Sequence, residues 1–204
     1  IEAPMVVIHE TQARWAASIT RQYEGDLYEL LNDMPESPDN FKRLLTAFVD
    51  VIKALIVFSE HRILHGDLKP ENILYSYEGD QLKLYLADVG GCTYDEFLQG
   101  KTTMSTLKYS NGPDDLAIQS SNDVPLVVDE LCQRREVYGL GATMWAVFMK
   151  QIYLRGDERK DLKQLGSIAK LVTSMLHQQI NARPSLQEVL NQVRAALMIS
   201  ELRL

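Results

Sequence analysis

Apolar positions at the start of the chain follow two rhythms. "PMVVIHE" and "RWAASITRQY" are short runs rich in apolar and β-branched residues, which predicts two strands. "GDLYELL" predicts a short helix. At Ser37-Pro38 a capping serine followed by a first-turn proline opens a longer helix. Within it Phe41, Leu44, Leu45, Phe48, Ile52, Leu55 and Ile56 recur at the spacing of one buried stripe. "NILYSY" and "QLKLYLAD" predict paired strands joined through Glu78-Gly79-Asp80. From Val89 to about Leu131 no period is sustained, and a stretch of that kind is usually functional or mobile. "REVYGLGATMWAVFM" is apolar nearly all round, as a central buried helix would be. "IAKLVTSMLHQ" is amphipathic. Ser185 and Glu188 make a capping box for a last helix carrying Val189, Leu190, Val193 and Leu197 on one face.

Composition narrows the class without naming a function. At 204 residues the chain fits one domain or one large lobe with a real core. Hydrophobic residues at 46% and charged residues at 24% are ordinary for a globular protein in water. A formal charge of -7 argues against a general nucleic-acid binder, which needs Lys and Arg to neutralise phosphates. It leaves room for a single nucleotide carried with its metal ion. Two cysteines, Cys92 and Cys132, are too few for a disulfide framework and fit thiols in a reducing compartment. No stretch reaches the roughly 18 apolar residues of a membrane span. The longest uncharged run, from Val137 to Met149, is shorter and holds two glycines. The start lacks the basic and apolar regions of a signal peptide. Because it begins at Ile1, the chain is expected to be a piece of a longer one.

Chemistry concentrates in "HGDLKPENIL", residues 65–74. It offers a carboxylate at Asp67, an ammonium at Lys69 and a carboxamide at Asn72 within one turn. Asp88, in "ADVGG", follows about sixteen residues after Asn72. Magnesium takes oxygen ligands, so a carboxylate and a carboxamide suit it. Phosphoryl transfer needs alignment and positive charge more than covalent chemistry from the protein.

These motifs resemble those of eukaryotic-type Ser/Thr protein kinases. "HGDLKPEN" is similar to the family's His-Arg-Asp-x-x-x-x-Asn catalytic loop, and "ADVGG" to its Asp-Phe-Gly motif. "STLKYSNGPDD" resembles the end of an activation segment, through Thr106, Tyr109 and Pro113. "EVYGLGATMW" is similar to the buried helix that anchors the catalytic loop, with Glu136 in place of Asp. "NARPSLQEVL" resembles the late Arg-Pro-Ser segment, in which Arg183 would pair with Asp114 or Asp115. "SITRQYEGDLYELL" is similar to the fifth strand, hinge and following helix.

The resemblance implies an α+β, protein-kinase-like fold. It would be mainly the helical C-terminal lobe, with a few N-terminal strands and a small catalytic hairpin. Residues 1–23 would end the small lobe and hinge, and residues 24–204 would form the C-terminal lobe. The implied activity is transfer of the ATP γ-phosphoryl group to a protein serine or threonine. Asp67 would accept the hydroxyl proton and Lys69 would neutralise the moving phosphoryl group. Asn72 and Asp88 would hold Mg2+ on the nucleotide. Thr20 would be the gatekeeper, and Gln22 and Tyr23 would offer backbone groups to adenine. His65 would be a packing and hydrogen-bonding residue. Implied partners are a Ser/Thr-bearing protein substrate and an N-lobe segment, upstream or on another chain, with no nucleic acid and no membrane span. The implied location is cytoplasmic, or host cytosol for a secreted bacterial effector. Two rival readings stay open: a pseudokinase or scaffold that binds partners without transfer, and a kinase-fold transferase with another substrate.

The chain departs from the family both in missing elements and at single residues. It contains no glycine-rich phosphate loop, no Val-Ala-x-Lys strand and no helix with the partner glutamate. Gly66 replaces the arginine that pairs with a phosphate on the activation segment. Val89 replaces Phe, Gly91 adds looseness, and Glu136 is one methylene longer than Asp. Without that arginine, transfer is expected not to require phosphorylation of the segment. Phosphatase treatment of the active protein should leave its rate intact, and loss of activity would contradict this.

Overall fold

The computed structural model describes residues 5–10, 13–18, 21–89, 93–99, 125–151 and 163–201. Strands β1 (Met5–Glu10) and β2 (Ala13–Ser18) form an antiparallel hairpin in the register Met5↔Ser18 to Glu10↔Ala13. A second sheet has the order β3-β4-β5: β3 (Gly25–Asp26), β4 (Ile73–Glu78) and β5 (Gln81–Leu86). The β4–β5 pairing runs from Ile73↔Leu86 to Glu78↔Gln81, leaving Gly79-Asp80 as a two-residue turn. Gly79 has φ +60°, and a glycine in the first turn position is what a tight hairpin of this twist requires.

Helix α1 (Leu27–Asp33) is fixed at its start by a reciprocal box. The Glu29 N–H donates to Asp26 Oδ1 at 2.8 Å, and the Asp26 N–H donates to Glu29 Oε2 at 3.3 Å. Helix α2 (Pro38–Glu60) starts where Ser37-Pro38 predicts, with Ser37 Oγ accepting the Asn40 N–H at 3.1 Å. Its stripe enters the core as expected. Leu44, Leu45, Phe48, Ile52 and Leu55 are buried, and Phe41 and Ile56 pack at the margin. Phe41 and Phe48 lie 4.7 and 5.8 Å from Phe148.

The stretch expected to be irregular contains more order than its sequence pattern shows. Helix α3 (Tyr94–Leu98) is opened by a Thr93/Glu96 capping box, and helix α4 runs from Pro125 to Met149. Residues 135–147 of α4 are all buried. A helical segment covered on every side carries no polar stripe, so this part of the helix shows no period. Thr143 satisfies its buried hydroxyl by donating to the Gly139 carbonyl at 2.8 Å. Helix α5 (Ala169–Met175) buries Leu171, Val172 and Met175. Helix α6 (Leu186–Glu201) carries the expected box: the Ser185 N–H donates to Glu188 Oε2 at 2.7 Å, and Glu188 N–H donates to Ser185 Oγ at 3.2 Å. The Ser185 N–H and hydroxyl, both donating to Glu188 Oε2, hold the Glu188 carboxyl below its ordinary pKa. Among the described residues, no helix is long and apolar enough to cross a membrane.

Polar groups tie the helices together. Arg62 pairs with Asp95 at 3.1 Å and Asp129 at 3.0 Å, and its carbonyl accepts the Tyr94 N–H at 2.8 Å. Tyr94 Oη donates to Ser59 Oγ at 3.2 Å, and Gln133 Nε2 donates to the same oxygen at 2.9 Å. Gln133 Oε1 in turn accepts the Leu186 N–H at 3.2 Å, so one network joins α2, α3, α4 and α6. Burial raises the pKa of the Tyr94 phenol far above its ordinary value. The folded state favours the neutral phenol, so this contribution to stability is complete below about pH 10 and is lost as pH rises beyond it. Tyr94→Phe is expected to cost about 1 kcal/mol at neutral pH, a drop of roughly 2–4 °C in melting temperature. It should also flatten the alkaline fall in stability. Thermal scans at pH 7 and above pH 10 check both effects.

Candidate active site

The loop of residues 65–72 is held from below by α4. Both oxygens of the buried Glu136 carboxylate accept backbone N–H groups from the loop: His65 at 3.3 Å and Gly66 at 3.1 Å. Gly66 has φ +79°, a conformation glycine adopts without a Cβ penalty. The longer Glu136 side chain thus still anchors the loop through both of its oxygens.

His65 is buried and committed on both sides of its ring. Nδ1 accepts the Asp67 N–H at 3.4 Å, so the proton sits on Nε2, which donates to the Ala87 carbonyl at 3.0 Å. The ring also stacks on Phe58 with centroids 6.5 Å apart. This is the packing and hydrogen-bonding role expected of it. Because Ala87 precedes Asp88, His65 joins the loop of Asp67 to the strand end that carries Asp88.

Asp67, Lys69 and Asn72 converge. Lys69 Nζ lies 2.7 Å from Asp67 Oδ2. Asn72 Nδ2 donates to the same oxygen at 3.0 Å and to the Asp67 carbonyl at 2.8 Å. Both amide protons of Asn72 are thereby used, which turns its carboxamide oxygen away from Asp67. A tight turn at Pro70–Asn72 places the carboxamide, with the Asn72 N–H on the Lys69 carbonyl at 3.0 Å.

Asp88 sits at the open end of the same hairpin. The Ala87 N–H donates to the Asn72 carbonyl at 2.9 Å, which ties the strand end that carries Asp88 to Asn72. Its φ is +52°, a left-handed conformation that Asp tolerates better than most residues. Strain of this kind concentrates at functional positions. The residue is exposed, and among the described residues its carboxylate has no hydrogen-bond partner. Among the described residues no three His, Cys, Asp or Glu side chains could hold a metal by themselves. The donor set suits magnesium, which takes one or two protein oxygens and completes its shell with phosphates and water.

Residues 21–24 are strapped along the hairpin. The Tyr23 ring lies 5.0 Å from Tyr85, and Arg21 pairs with Glu78 at 3.5 Å. The Glu24 N–H donates to the Tyr75 carbonyl at 3.1 Å, and Glu24 Oε2 accepts the Tyr77 N–H at 3.1 Å. Tyr85 pairs with Leu74, one step from the open end, so Tyr23 is near the end that carries Asn72 and Asp88. Gln22 is exposed. Val89 is 49% exposed, as its substitution for a larger packing residue suggests.

Arg183 is buried, not a surface group. It donates to the carbonyls of His177 at 2.9 Å, Gln178 at 3.3 Å and Arg134 at 3.3 Å, and stacks over Tyr138 at 4.7 Å. Its expected carboxylate partners Asp114 and Asp115 lie outside the described residues, as do Thr20, Gly91, Thr106, Tyr109 and Pro113.

The fold is similar to that of solved structures. The kinase domain of Mycobacterium tuberculosis PknI superposes with a TM-score of 0.63 at 17% identity, over 90% of this chain and 65% of that one. The chain has a protein-kinase-like fold. Its C-terminal-lobe elements and hairpin follow the expected α+β plan. Curated relatives match shorter stretches. Serine/threonine-protein kinase ksp1 of Schizosaccharomyces pombe is 36% identical over 70 residues, 32% of this chain and 15% of the relative. Aurora kinase B of Danio rerio is 33% identical over 85 residues, 42% of this chain and 25% of the relative. The chain thus spans a quarter or less of these two proteins. No family model matches it.

Proposed function

We propose that the chain is the C-terminal lobe of an ATP-dependent Ser/Thr protein kinase, with residues 1–23 ending the small lobe and hinge and residues 24–204 forming the lobe. The observation that carries this reading is the convergence of Asp67, Lys69 and Asn72 beside Asp88 at one end of the β4–β5 hairpin.

Asp67 Oδ2 is neutralised by Lys69 and oriented by Asn72, which aims the carboxylate for a substrate hydroxyl whose proton it accepts. Lys69 faces the same place and offsets charge on the transferred group. The Asn72 carboxamide oxygen and the Asp88 carboxylate would hold Mg2+, which neutralises charge on the nucleotide phosphates when bound. Gln22 and Tyr23 would line the base through their backbone. The "DLKPEN" form of the loop and the names of the relatives favour serine or threonine over tyrosine as acceptor. A separate or upstream N-lobe segment would complete the nucleotide cleft, and the proposed location is the cytoplasm, or host cytosol for a secreted bacterial effector.

The second reading is a scaffold that binds partners without transfer. A mixed peptide library with Ser, Thr and Tyr acceptors and labelled ATP separates the two. The kinase reading expects Mg2+-dependent label on Ser and Thr. Label on Tyr would overturn the acceptor assignment, and binding of nucleotide without transfer by the full-length protein would support the scaffold.

A further inference from the structure

Arg135 precedes Glu136 on α4 and is buried. Its guanidinium lies over the Phe97 ring, 4.7 Å from the centroid. Its Nη1 lies 3.9 Å from Glu136 Oε1, the oxygen that accepts the Gly66 N–H. Phe97 is buried on α3, in the chain that follows Asp88. Gly66, Leu68, Arg135, Glu136 and Gly139 line one void of about 10 Å³, so Arg135 and the loop border the same small space. A single cation therefore touches a partner of each loop of the site. Guanidinium chemistry suits this double contact: its planar face stacks on a ring while an edge N–H faces a carboxylate. An ammonium can supply the charge but not the planar stack.

We propose that Arg135 is a positioning residue that couples the loop carrying Asp67 to the segment following Asp88. Displacement of α3 moves the guanidinium off Phe97, which shifts the charge beside Glu136 and loosens its grip on the loop backbone. Only the effect on rate rests on the kinase reading; the coupling itself is a property of the packing. It gives the post-Asp88 segment a permanent anchor in a chain whose loop has Gly66 where the resemblance would place an arginine.

Residue-resolved hydrogen exchange on the protein tests the coupling. Phe97→Leu is expected to speed exchange of the Gly66 amide about tenfold, while the α6 amides of Val189 to Val193 stay within about twofold. Arg135→Met should speed both the Gly66 and the Phe97 amides. Arg135→Lys, which keeps the charge but not the planar stack, should speed both amides, as Phe97→Leu does. In the active full-length protein, Arg135→Met should lower kcat about tenfold with KM for ATP within about twofold. If Phe97→Leu loosens residues 94–98 and leaves Gly66 unchanged, the coupling is wrong. Should Arg135→Met fail to fold, Phe97→Leu and Arg135→Lys decide the matter. A Gly66 response together with undiminished transfer by Asp67→Ala would keep the coupling and reject the catalytic reading. An unresponsive Gly66 together with lost transfer would do the reverse.

Discussion

Asp67→Ala is expected to lower phosphate transfer by the full-length protein about 10²- to 10⁴-fold, the range for loss of a positioned acid–base group. The substitution removes the oxygen on which Lys69 and Asn72 both converge, at 2.7 and 3.0 Å. Two effects add: the hydroxyl loses its proton acceptor, and two donors lose the group that orients them. Nucleotide binding should suffer much less, because the proposed magnesium ligands remain. Equal incorporation by Asp67→Ala and the parent protein, measured with labelled ATP, would move the chemistry elsewhere.

Glu136→Ala is expected to give the largest loss of stability. Its carboxylate is the acceptor for two loop N–H groups and the neighbour of a buried guanidinium. Removing it strands buried donors at about 1–3 kcal/mol each. Breaking a buried charge pair typically costs about 3–5 kcal/mol in all, so the melting temperature should fall by roughly 10 °C or more. Alanine is the better helix former, so helix propensity opposes this loss and cannot cause it. Glu136→Gln keeps one carbonyl acceptor and presents an NH2 to the second donor, and should fall between. Thermal unfolding followed by circular dichroism measures all three proteins. A Glu136→Ala protein as stable as the parent would mean that the loop is anchored by something other than these bonds.

Where a local signal and a tertiary contact agree, the sequence is readable. Ser37-Pro38 opens α2, Glu78-Gly79-Asp80 closes the hairpin, and Ser185 with Glu188 opens α6, each by bonds within a few residues. The contacts that shape the site are different, because they span long stretches of chain. Nothing near Arg135 announces that it will meet Phe97, and nothing near Tyr23 announces Tyr85. Helix α3 hides for another reason. Among the described residues, those it buries are Tyr94 and Phe97, and a helix of five residues is too short a run to show a period. The Thr93-x-x-Glu96 box was the available signal. The left-handed backbone of Asp88 is not legible either, since no glycine marks it.

Paramagnetic broadening by Mn2+ reports most directly on whether Asn72 and Asp88 hold the divalent ion of a nucleotide beside Asp67. Spectra would be recorded with Mn2+ alone and with Mn2+ plus a non-hydrolysable ATP analogue, for the parent protein and for Asp88→Ala. Nucleotide-dependent broadening at the amides of residues 67, 72 and 88, lost in Asp88→Ala, is the predicted result. Broadening centred elsewhere, or unchanged by Asp88→Ala, would contradict it.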